Sequence, residues 1–162
     1  GAVKNFTFMD KDANRQMVDI HNGIRNTLIM LNYKLKKANI NVIENYDQSM
    51  PRIYALPGAL NQVWTNIIDN AIDAMEVNNK GNLEITTNHD TRFVKVYIKD
   101  DGPGIPKESQ QNIFAPFFTT KEMGKGSGLG LDVVSRIMIQ HNGAVTVNSE
   151  PGATQFEICL PI

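Results

Sequence analysis

The spacing of apolar residues along the chain alternates between helical and strand periods. Steps of three and four residues predict helices from Asn14 to about Lys37, over residues 61–75 and over residues 129–142. Alternation of apolar and polar residues predicts strands at residues 5–10, 39–46, 83–88 and 92–101, and a closing hairpin over residues 144–162. Residues 102–130 follow neither period and are interpreted as a long functional loop. This order favours an α/β two-layer sandwich, with a mixed sheet of about five strands covered by about three helices.

The middle helix, NQVWTNIIDNAIDAM, carries two different stripes at about 100° per residue. One stripe is apolar and consists of Val63, Ile67, Ala71 and Ala74. The other is polar and consists of Asn66, Asn70 and Asp73. Asparagine is a mediocre helix former because its amide competes for backbone hydrogen bonds, so its repeated use needs a reason. We interpret the apolar stripe as facing a core and the polar stripe as facing a site.

Composition describes an ordinary globular protein and disfavours several other classes. The 162 residues are 41% hydrophobic and 20% charged, which suits a single domain with its own core. A net charge of -1 gives no reason to expect a nucleic-acid or membrane-surface partner. No apolar run approaches the roughly 20 residues of a membrane helix, and no signal peptide is visible. Because the chain starts with Gly1 rather than methionine, we expect residues 1–162 to be one domain of a longer parent.

The single cysteine, Cys159, indicates the redox environment of the protein. It lies in an alternating apolar run near the end of the chain and is predicted to be a small buried hydrophobe. A chain without a disulfide framework fits a reducing compartment, so we expect a cytoplasmic domain. A membrane anchor elsewhere in the parent remains compatible with this expectation.

The segment DDGPGIP, residues 100–106, follows a predicted strand and has the features of a base pocket. Gly102 and Gly104 allow the backbone to bend tightly and to approach a flat ligand closely. An ionised carboxylate at Asp100 accepts hydrogen bonds only, which suits an exocyclic amine such as the N6 group of adenine. The alternative is a glycine-rich turn beside a solvated acid.

A second glycine cluster, GKGSGLGLDVV, immediately precedes the third predicted helix. Successive backbone N–H groups at a helix start form an anion site, so this cluster is interpreted as a phosphate cradle. A P-loop would place Ser or Thr after Lys125, where this chain has Gly126, and the Gly-x-Gly-x-Gly spacing departs from the Rossmann pattern. Mg²⁺ is expected to bridge the phosphates, and the side-chain oxygen of Asn70 suits this hard cation. The alternative for Asn66 and Asn70 is that they are solvated helix positions.

Four segments together resemble a known family. NIIDNAIDA, DDGPGIP, IFAPFFTTK and GKGSGLGL look like the N box, first glycine box, F box and second glycine box of sensor histidine kinase catalytic domains, in the family's order. These domains belong to the GHKL ATPases, which have the Bergerat fold. The resemblance covers roughly residues 5–162 and includes the closing segment NGAVTVNSEPGATQFEICLP.

The resemblance implies a role for each matching residue. Asn70 would bind Mg²⁺, Asp100 the adenine amine, and Asp73 the adenine side through water. Asn66 is expected to contact the nucleotide at a catalytic position, where hydrolysing relatives carry a glutamate that activates water. An amide is too weak a base for that task, which favours phosphoryl transfer over direct hydrolysis of ATP. Lys121 would reach the γ-phosphate as a mobile point charge. The other residues expected to contact the nucleotide are Gly102, Gly104, Ile105, Phe114, Thr119, Thr120, Gly126, Ser127, Gly128, Leu129 and Gly130.

Some residues of these boxes have a structural alternative. Phe114 and Phe117 are aromatic loop residues that can fix the loop to the core. His21 lies in HNGIRNTL, which lacks the acid that follows the acceptor histidine in the family, so we interpret it as a polar residue of the first helix. His89 and His141 are also interpreted as structural, and these scattered histidines give no support to a zinc or iron site.

The sequence therefore predicts the ATP-binding catalytic domain of a two-component sensor histidine kinase. The resemblance implies transfer of the γ-phosphoryl group to a histidine on a separate dimerisation domain, with a response regulator downstream. It also implies a monomeric domain from a homodimeric parent. Two alternatives stay open: an anti-sigma-type serine kinase of the same fold, whose members carry an acid at the Asn66 position, and a non-enzymatic nucleotide-binding regulatory module.

Overall fold

The structure, a computed structural model, describes residues 14–115 and 129–162. The elements in chain order are β1 (Gln16–Val18), α1 (Ile20–Met30), α2 (Asn32–Lys37), β2 (Ile40–Asn45), β3 (Ile53–Ala55), α3 (Pro57–Glu76), β4 (Gly81–His89), β5 (Phe93–Asp100), α4 (Lys107–Gln110), α5 (Leu129–Gln140), β6 (Ala144–Glu150) and β7 (Ala153–Pro161). The predicted first strand at residues 5–10, with Phe6 and Phe8, lies outside the described residues. None of the helices in the described ranges is both long and apolar enough to cross a bilayer.

Five strands form one mixed sheet in the order β2-β4-β5-β7-β6, and the helices cover one of its faces. β2 and β4 are parallel and every other neighbouring pair is antiparallel. Alternate residues of the central strands are buried against the helices, for example Val94, Val96 and Ile98 of β5, while the residues between them on the opposite face stay partly exposed. The predicted two-layer sandwich is therefore confirmed.

The long helix α3 is the centre of the core. It was predicted over residues 61–75 and spans Pro57–Glu76, with Pro57 in its first turn, where a missing N–H costs no helical hydrogen bond. Val63 and Ile67 of the predicted apolar stripe are fully buried, together with Trp64. The interpretation of this stripe as core-facing is confirmed, although Ala74 at its end is only half-buried.

The prediction of one continuous helix from Asn14 to Lys37 is wrong at its start and at Leu31, where the backbone (φ -93°, ψ 7°) leaves helical geometry between α1 and α2. Gln16–Val18 instead form β1, which pairs with β3 in a separate two-stranded antiparallel sheet. The helix begins at Ile20, after Asp19, whose side chain accepts a hydrogen bond from the His21 backbone N–H at 3.0 Å. Met17 continues the apolar spacing of the helix that follows, yet it lies on a strand and is 56% exposed.

The C-terminal third follows the predicted order. α5 ends at Gln140, and Asn142 takes a positive φ of 56° before β6 begins. Of the residues predicted to face inward, Ile137 and Met138 are buried and Val133 is partly buried. Cys159 was predicted to be buried, but the structure places it half-exposed on the face of β7 opposite Ile158. Within the predicted long loop the described part contains the single-turn helix α4.

Candidate functional site

Asp100 lies at the end of β5, in a corner formed with α3. It is 4% exposed, and its Oδ1 accepts a hydrogen bond from the Gly102 backbone N–H at 2.9 Å. Burial is the largest influence on the carboxyl group and raises its pKa from 3.8 to about 6, although the Gly102 hydrogen bond acts in the opposite direction. Because an ionised carboxylate accepts several hydrogen bonds, Asp100 retains capacity for the donor of a ligand.

Gly102 fills the narrow space between the end of β5 and α3. A Cβ at this position would lie 3.0 Å from Asp100 Oδ1 and 3.1 Å from Ala74 Cβ. The sequence assigned Ala74 to the core, whereas the structure places it at this corner. Its spacing of four residues after Asn70 was the signal that it lies near the polar stripe.

The adjacent acid, Asp101, has a different role from Asp100. Its carboxylate accepts hydrogen bonds from the Asn82 backbone N–H at 3.0 Å and from Asn82 Nδ2 at 2.9 Å. Asp101 is exposed, while Asp100 is buried on the side of α3. Of the two consecutive acids, Asp100 is therefore the one placed in the corner with Gly102 and Ala74.

The rest of the first glycine segment is fixed to the β6–β7 hairpin. Gly104 has a φ of 90°, and a Cβ there would lie 2.6 Å from the Glu150 carbonyl oxygen. The Ile105 backbone N–H donates to Ser149 Oγ at 2.8 Å, and Ile105 itself packs against the core. Gly104 is thus required by packing of the backbone, a reason independent of any ligand.

Phe114 packs edge-to-face on Phe156 of β7, with ring centroids 6.3 Å apart. It is half-buried and contacts the core cluster. This is the contact expected from the structural alternative for the aromatic residues of the loop.

The polar stripe of α3 lies along the same region. Asn66, Asn70 and Asp73 are all half-buried. Asn66 Nδ2 donates to the carbonyl oxygen of Gly130 at 2.9 Å, which joins the middle of α3 to the first turn of α5. Asn66 and Ala74 are separated by eight residues, or about 12 Å along a helix axis, and Asn70 lies between them.

Several predicted contacts cannot be placed in the structure. Thr119, Thr120, Lys121, Gly126, Ser127 and Gly128 lie outside the described residues, as does Phe117. Leu129 is described as the first residue of α5. The structure therefore brings together Asp100, Gly102 and Ala74 at one end of the site, and Asn66 and Gly130 at the other.

The three histidines all have structural partners. His21 is buried, its Nε2 lies 2.8 Å from Thr87 Oγ1, and burial lowers its pKa. His141 is also buried: its Nε2 accepts from the Leu56 N–H and its Nδ1 lies 2.8 Å from the Ile137 carbonyl oxygen. His89 Nδ1 pairs with the Asp47 carboxylate. These contacts agree with the interpretation of His21 as a helix residue rather than a phosphoacceptor.

Comparisons with known proteins agree with one another. The family model for histidine kinase-, DNA gyrase B- and HSP90-like ATPases matches residues 55–162. The nucleotide-free catalytic domain of histidine kinase ThkA is 30% identical, with a TM-score of 0.81, and the match covers 91% of this chain and 97% of that domain. Full-length ShkA in complex with AMPPNP is 28% identical, with a TM-score of 0.80, and the match covers 91% of this chain and 31% of ShkA.

Among curated relatives, the sensory histidine kinase/phosphatase NtrB of Rhodobacter capsulatus is 36% identical over 138 residues. This match covers 77% of the chain and 38% of NtrB. The sporulation kinase E of Bacillus subtilis is also 36% identical, over 86% of the chain and 19% of the kinase. The chain thus spans less than half the length of these curated relatives.

Proposed function

The chain belongs to the family of histidine kinase-, DNA gyrase B- and HSP90-like ATPases, as an ATP-binding catalytic domain of the histidine kinase type, and we propose from this premise that it phosphorylates a histidine on a separate dimerisation domain. The phosphoryl donor is the γ-phosphate of ATP. The observation that carries the proposal is the arrangement along α3, where a buried carboxylate corner at Asp100 and the Asn66–Gly130 contact flank Asn70.

Adenine is assigned to the corner formed by Asp100, Gly102 and Ala74. The ionised carboxylate accepts a hydrogen bond from the 6-amino group, and burial strengthens that bond by excluding water. Gly102 allows the end of β5 to approach α3 closely, because a Cβ there would press against the Asp100 carboxylate and Ala74. Ile105 and Asp73 complete the proposed base side, Asp73 through water.

Mg²⁺ is assigned to Asn70, because a carboxamide oxygen is a hard donor that adds no negative charge next to the phosphates. Bound Mg²⁺ would neutralise charge on the phosphate oxygens. Asn70 lies between the two ends of the site on α3, which fits a ligand position near the phosphates. The remaining assignments come from the family resemblance. Lys121 and the second glycine box, with Gly126, Ser127, Gly128 and Gly130, would lie on the phosphate side, and the further nucleotide contacts are Phe114, Thr119, Thr120 and Leu129.

The proposed reaction depends on positioning and charge neutralisation. The transition state of phosphoryl transfer is loose, so the protein needs to hold donor and acceptor in line and to stabilise the equatorial oxygens. Backbone N–H groups and Lys121 would supply that stabilisation. Asn66 cannot serve as a general base, so the histidine attacks with its unprotonated ring nitrogen, a group on the acceptor side takes the proton from the other ring nitrogen, and water is not activated at Asn66.

In this proposal, residues 1–162 are one cytoplasmic domain of a longer, homodimeric parent. The parent is either wholly cytoplasmic or anchored to the cell membrane. A response regulator is the proposed downstream partner. Histidine kinase ThkA, which has been solved in complex with response regulator TrrA, is similar to this chain at 26% identity with a TM-score of 0.74. The domain alone is expected to be monomeric.

The test is a transfer assay with ATP labelled at the γ-phosphate, this domain and the parent's histidine-bearing dimerisation domain. We expect label on the acceptor domain in an acid-labile, base-stable form, as for a phosphohistidine. Acid-stable label on serine would instead support the serine kinase, and ATP binding without any transfer would support a regulatory module. An acceptor domain with its histidine replaced by alanine is the control and should remain unlabelled.

A further inference from the structure

Asn66 makes a contact within the protein that its proposed position beside the nucleotide does not explain. Its Nδ2 donates to the Gly130 carbonyl oxygen at 2.9 Å across a separation of 64 residues, and the bond is partly buried. Gly130 lies in the first turn of α5, where the carbonyl also belongs to the helical hydrogen-bond ladder. The Asn66 bond is therefore additional to those that build α5, and it joins two helices.

The chemistry of the acceptor fixes the orientation of the amide. A backbone carbonyl has no proton to donate, so only the NH₂ group of Asn66 can face it, and Oδ1 points elsewhere. A carboxylate at this position would place negative charge against the carbonyl oxygen. The choice of asparagine over an acid at residue 66 thus has a structural cause in the position of Gly130.

We propose that Asn66 is a positioning residue that holds the first turn of α5 against α3 and thereby sets the distance between the phosphate side of the site and Asn70. The expected effect on ATP binding rests on the proposed function, whereas the Asn66–Gly130 contact does not depend on it. α3 and α5 are also in contact elsewhere, and buried side chains of both helices, including Val63, Val134 and Met138, belong to the same core cluster. Asn66 acts at the open end of this helix pair, where the Asn66 and Gly130 side is half-buried.

The inference predicts which part of the nucleotide loses affinity. Removing the donor should free the start of α5, which lies on the phosphate side, and leave the Asp100 corner at the other end of the stripe intact. Binding of ATP should therefore weaken while binding of adenosine does not. A residue that acted on the reacting atoms would instead lower the transfer rate at saturating ATP and leave ATP affinity unchanged.

The experiment compares Asn66→Ala, Asn66→Asp and Asn66→Gln with Thr65→Ala. Ala removes the donor, Asp replaces it with an acceptor of the same shape, and Gln retains a donor. Thr65→Ala is the control on α3, because the Thr65 hydroxyl donates to the Asn61 carbonyl of its own helix. Hydrogen exchange of the nucleotide-free domain is measured over residues 129–136, and calorimetry gives affinities for ATP and adenosine.

We expect faster exchange of residues 129–136 in Asn66→Ala and Asn66→Asp, with near wild-type exchange in Asn66→Gln and Thr65→Ala. ATP affinity should fall about tenfold in the Ala variant, as for the loss of one partly buried hydrogen bond, and at least as much in the Asp variant. Adenosine affinity should change less than twofold.

Unchanged exchange in Asn66→Ala would overturn the inference, as would a loss of transfer rate with ATP affinity intact. Equal losses for ATP and adenosine would also overturn it, because they would indicate general damage to the fold. If the wild-type domain bound no nucleotide, the proposed function would fail, and the exchange experiment alone would still decide whether Asn66 holds α5.

Discussion

At the scale of single residues, Asp100 carries a charge in a place where the fold alone would favour a neutral group. Burial raises its pKa to about 6, so the carboxyl group binds a proton more tightly in the folded chain than in the unfolded chain, where its ordinary value is 3.8. Its ionisation therefore costs stability above pH 6, and this cost disappears as the pH falls from about 6 to about 4. Under the proposed function this charge serves as the acceptor for the 6-amino group of adenine.

Asp100→Asn should consequently stabilise the nucleotide-free domain and weaken its binding of ATP. The free energy of unfolding should rise by about 1–3 kcal/mol at pH 8 and should not rise at pH 4, where the wild-type group is protonated. Thermal unfolding at both pH values measures this. Asp101→Asn is the matched control, because the exposed Asp101 binds Asn82 instead. An equal gain at both pH values would contradict the assignment of the cost to the Asp100 charge.

The same substitution also tests the adenine contact. Asp100→Asn should weaken ATP by about tenfold, the scale of one hydrogen bond to a charged group, and should weaken a purine triphosphate that lacks the 6-amino group by much less. Competition binding with the two nucleotides gives both affinities. Equal losses of affinity for the two nucleotides would show that Asp100 does not bind the 6-amino group.

Gly104 and Gly152 offer a matched pair for the role of glycine. Both have a positive φ, 90° and 86°, but a Cβ at Gly104 would lie 2.6 Å from the Glu150 carbonyl oxygen, while a Cβ at Gly152 meets open space. Gly152→Ala should cost about 1 kcal/mol of backbone strain, and Gly104→Ala should cost about 2 kcal/mol more. Chemical denaturation of both variants measures the difference. Equal costs would mean that the hairpin moves away from residue 104 freely.

At the scale of elements, α3 joins folding and binding through its two stripes. The buried stripe belongs to the common core, and the half-buried polar stripe lies along the candidate site. Since one helix holds both, the positions of Asn66, Asn70 and Ala74 relative to the core are set by the same packing. Because α3 is held by this packing, these three residues keep their relative positions before a ligand binds.

The two stripes should respond differently to alanine. Ile67→Ala removes a fully buried side chain and should lower the free energy of unfolding by about 2–5 kcal/mol, with ATP affinity of the folded fraction largely retained. Asn70→Ala should abolish the contribution of Mg²⁺ to ATP binding and cost less stability than Ile67→Ala. Denaturation and calorimetry on both variants test this. If ATP affinity depended on Mg²⁺ in Asn70→Ala as it does in the wild type, Asn70 would not be a ligand of the metal.

At the scale of the whole molecule, periodicity predicted every long element, because burial of one face imposes a regular pattern on α3 and on β4 to β7. It failed for β1, since Met17 also fits the helical spacing and three residues are too few to show alternation. β3 was missed because Pro51 and Pro57 flank it and indicate a connection.

For the site, residue chemistry drew attention to Asp100, Asn66 and Asn70, because each is an unusual residue for its local environment. The structure shows the burial of Asp100 and the contact of Asn66, while their roles toward a nucleotide and the metal role of Asn70 stay predictions. The Asn66–Gly130 bond could not be predicted, since it depends on how two helices pack across 64 residues. Ala74 was assigned to the core because it is a small apolar residue, although its spacing of four residues from Asn70 also fits the polar stripe. The assignments at Thr119, Thr120 and Lys121 stay predictions.

The most direct test of the account is calorimetric titration of the purified domain with ATP, with Mg²⁺ and then with the metal chelated. The account predicts saturable binding of one ATP per chain, tighter with Mg²⁺ than without it, and weakened in both Asp100→Asn and Asn70→Ala. A folded domain that releases no heat with ATP and Mg²⁺, or whose affinity is untouched by both substitutions, would contradict it.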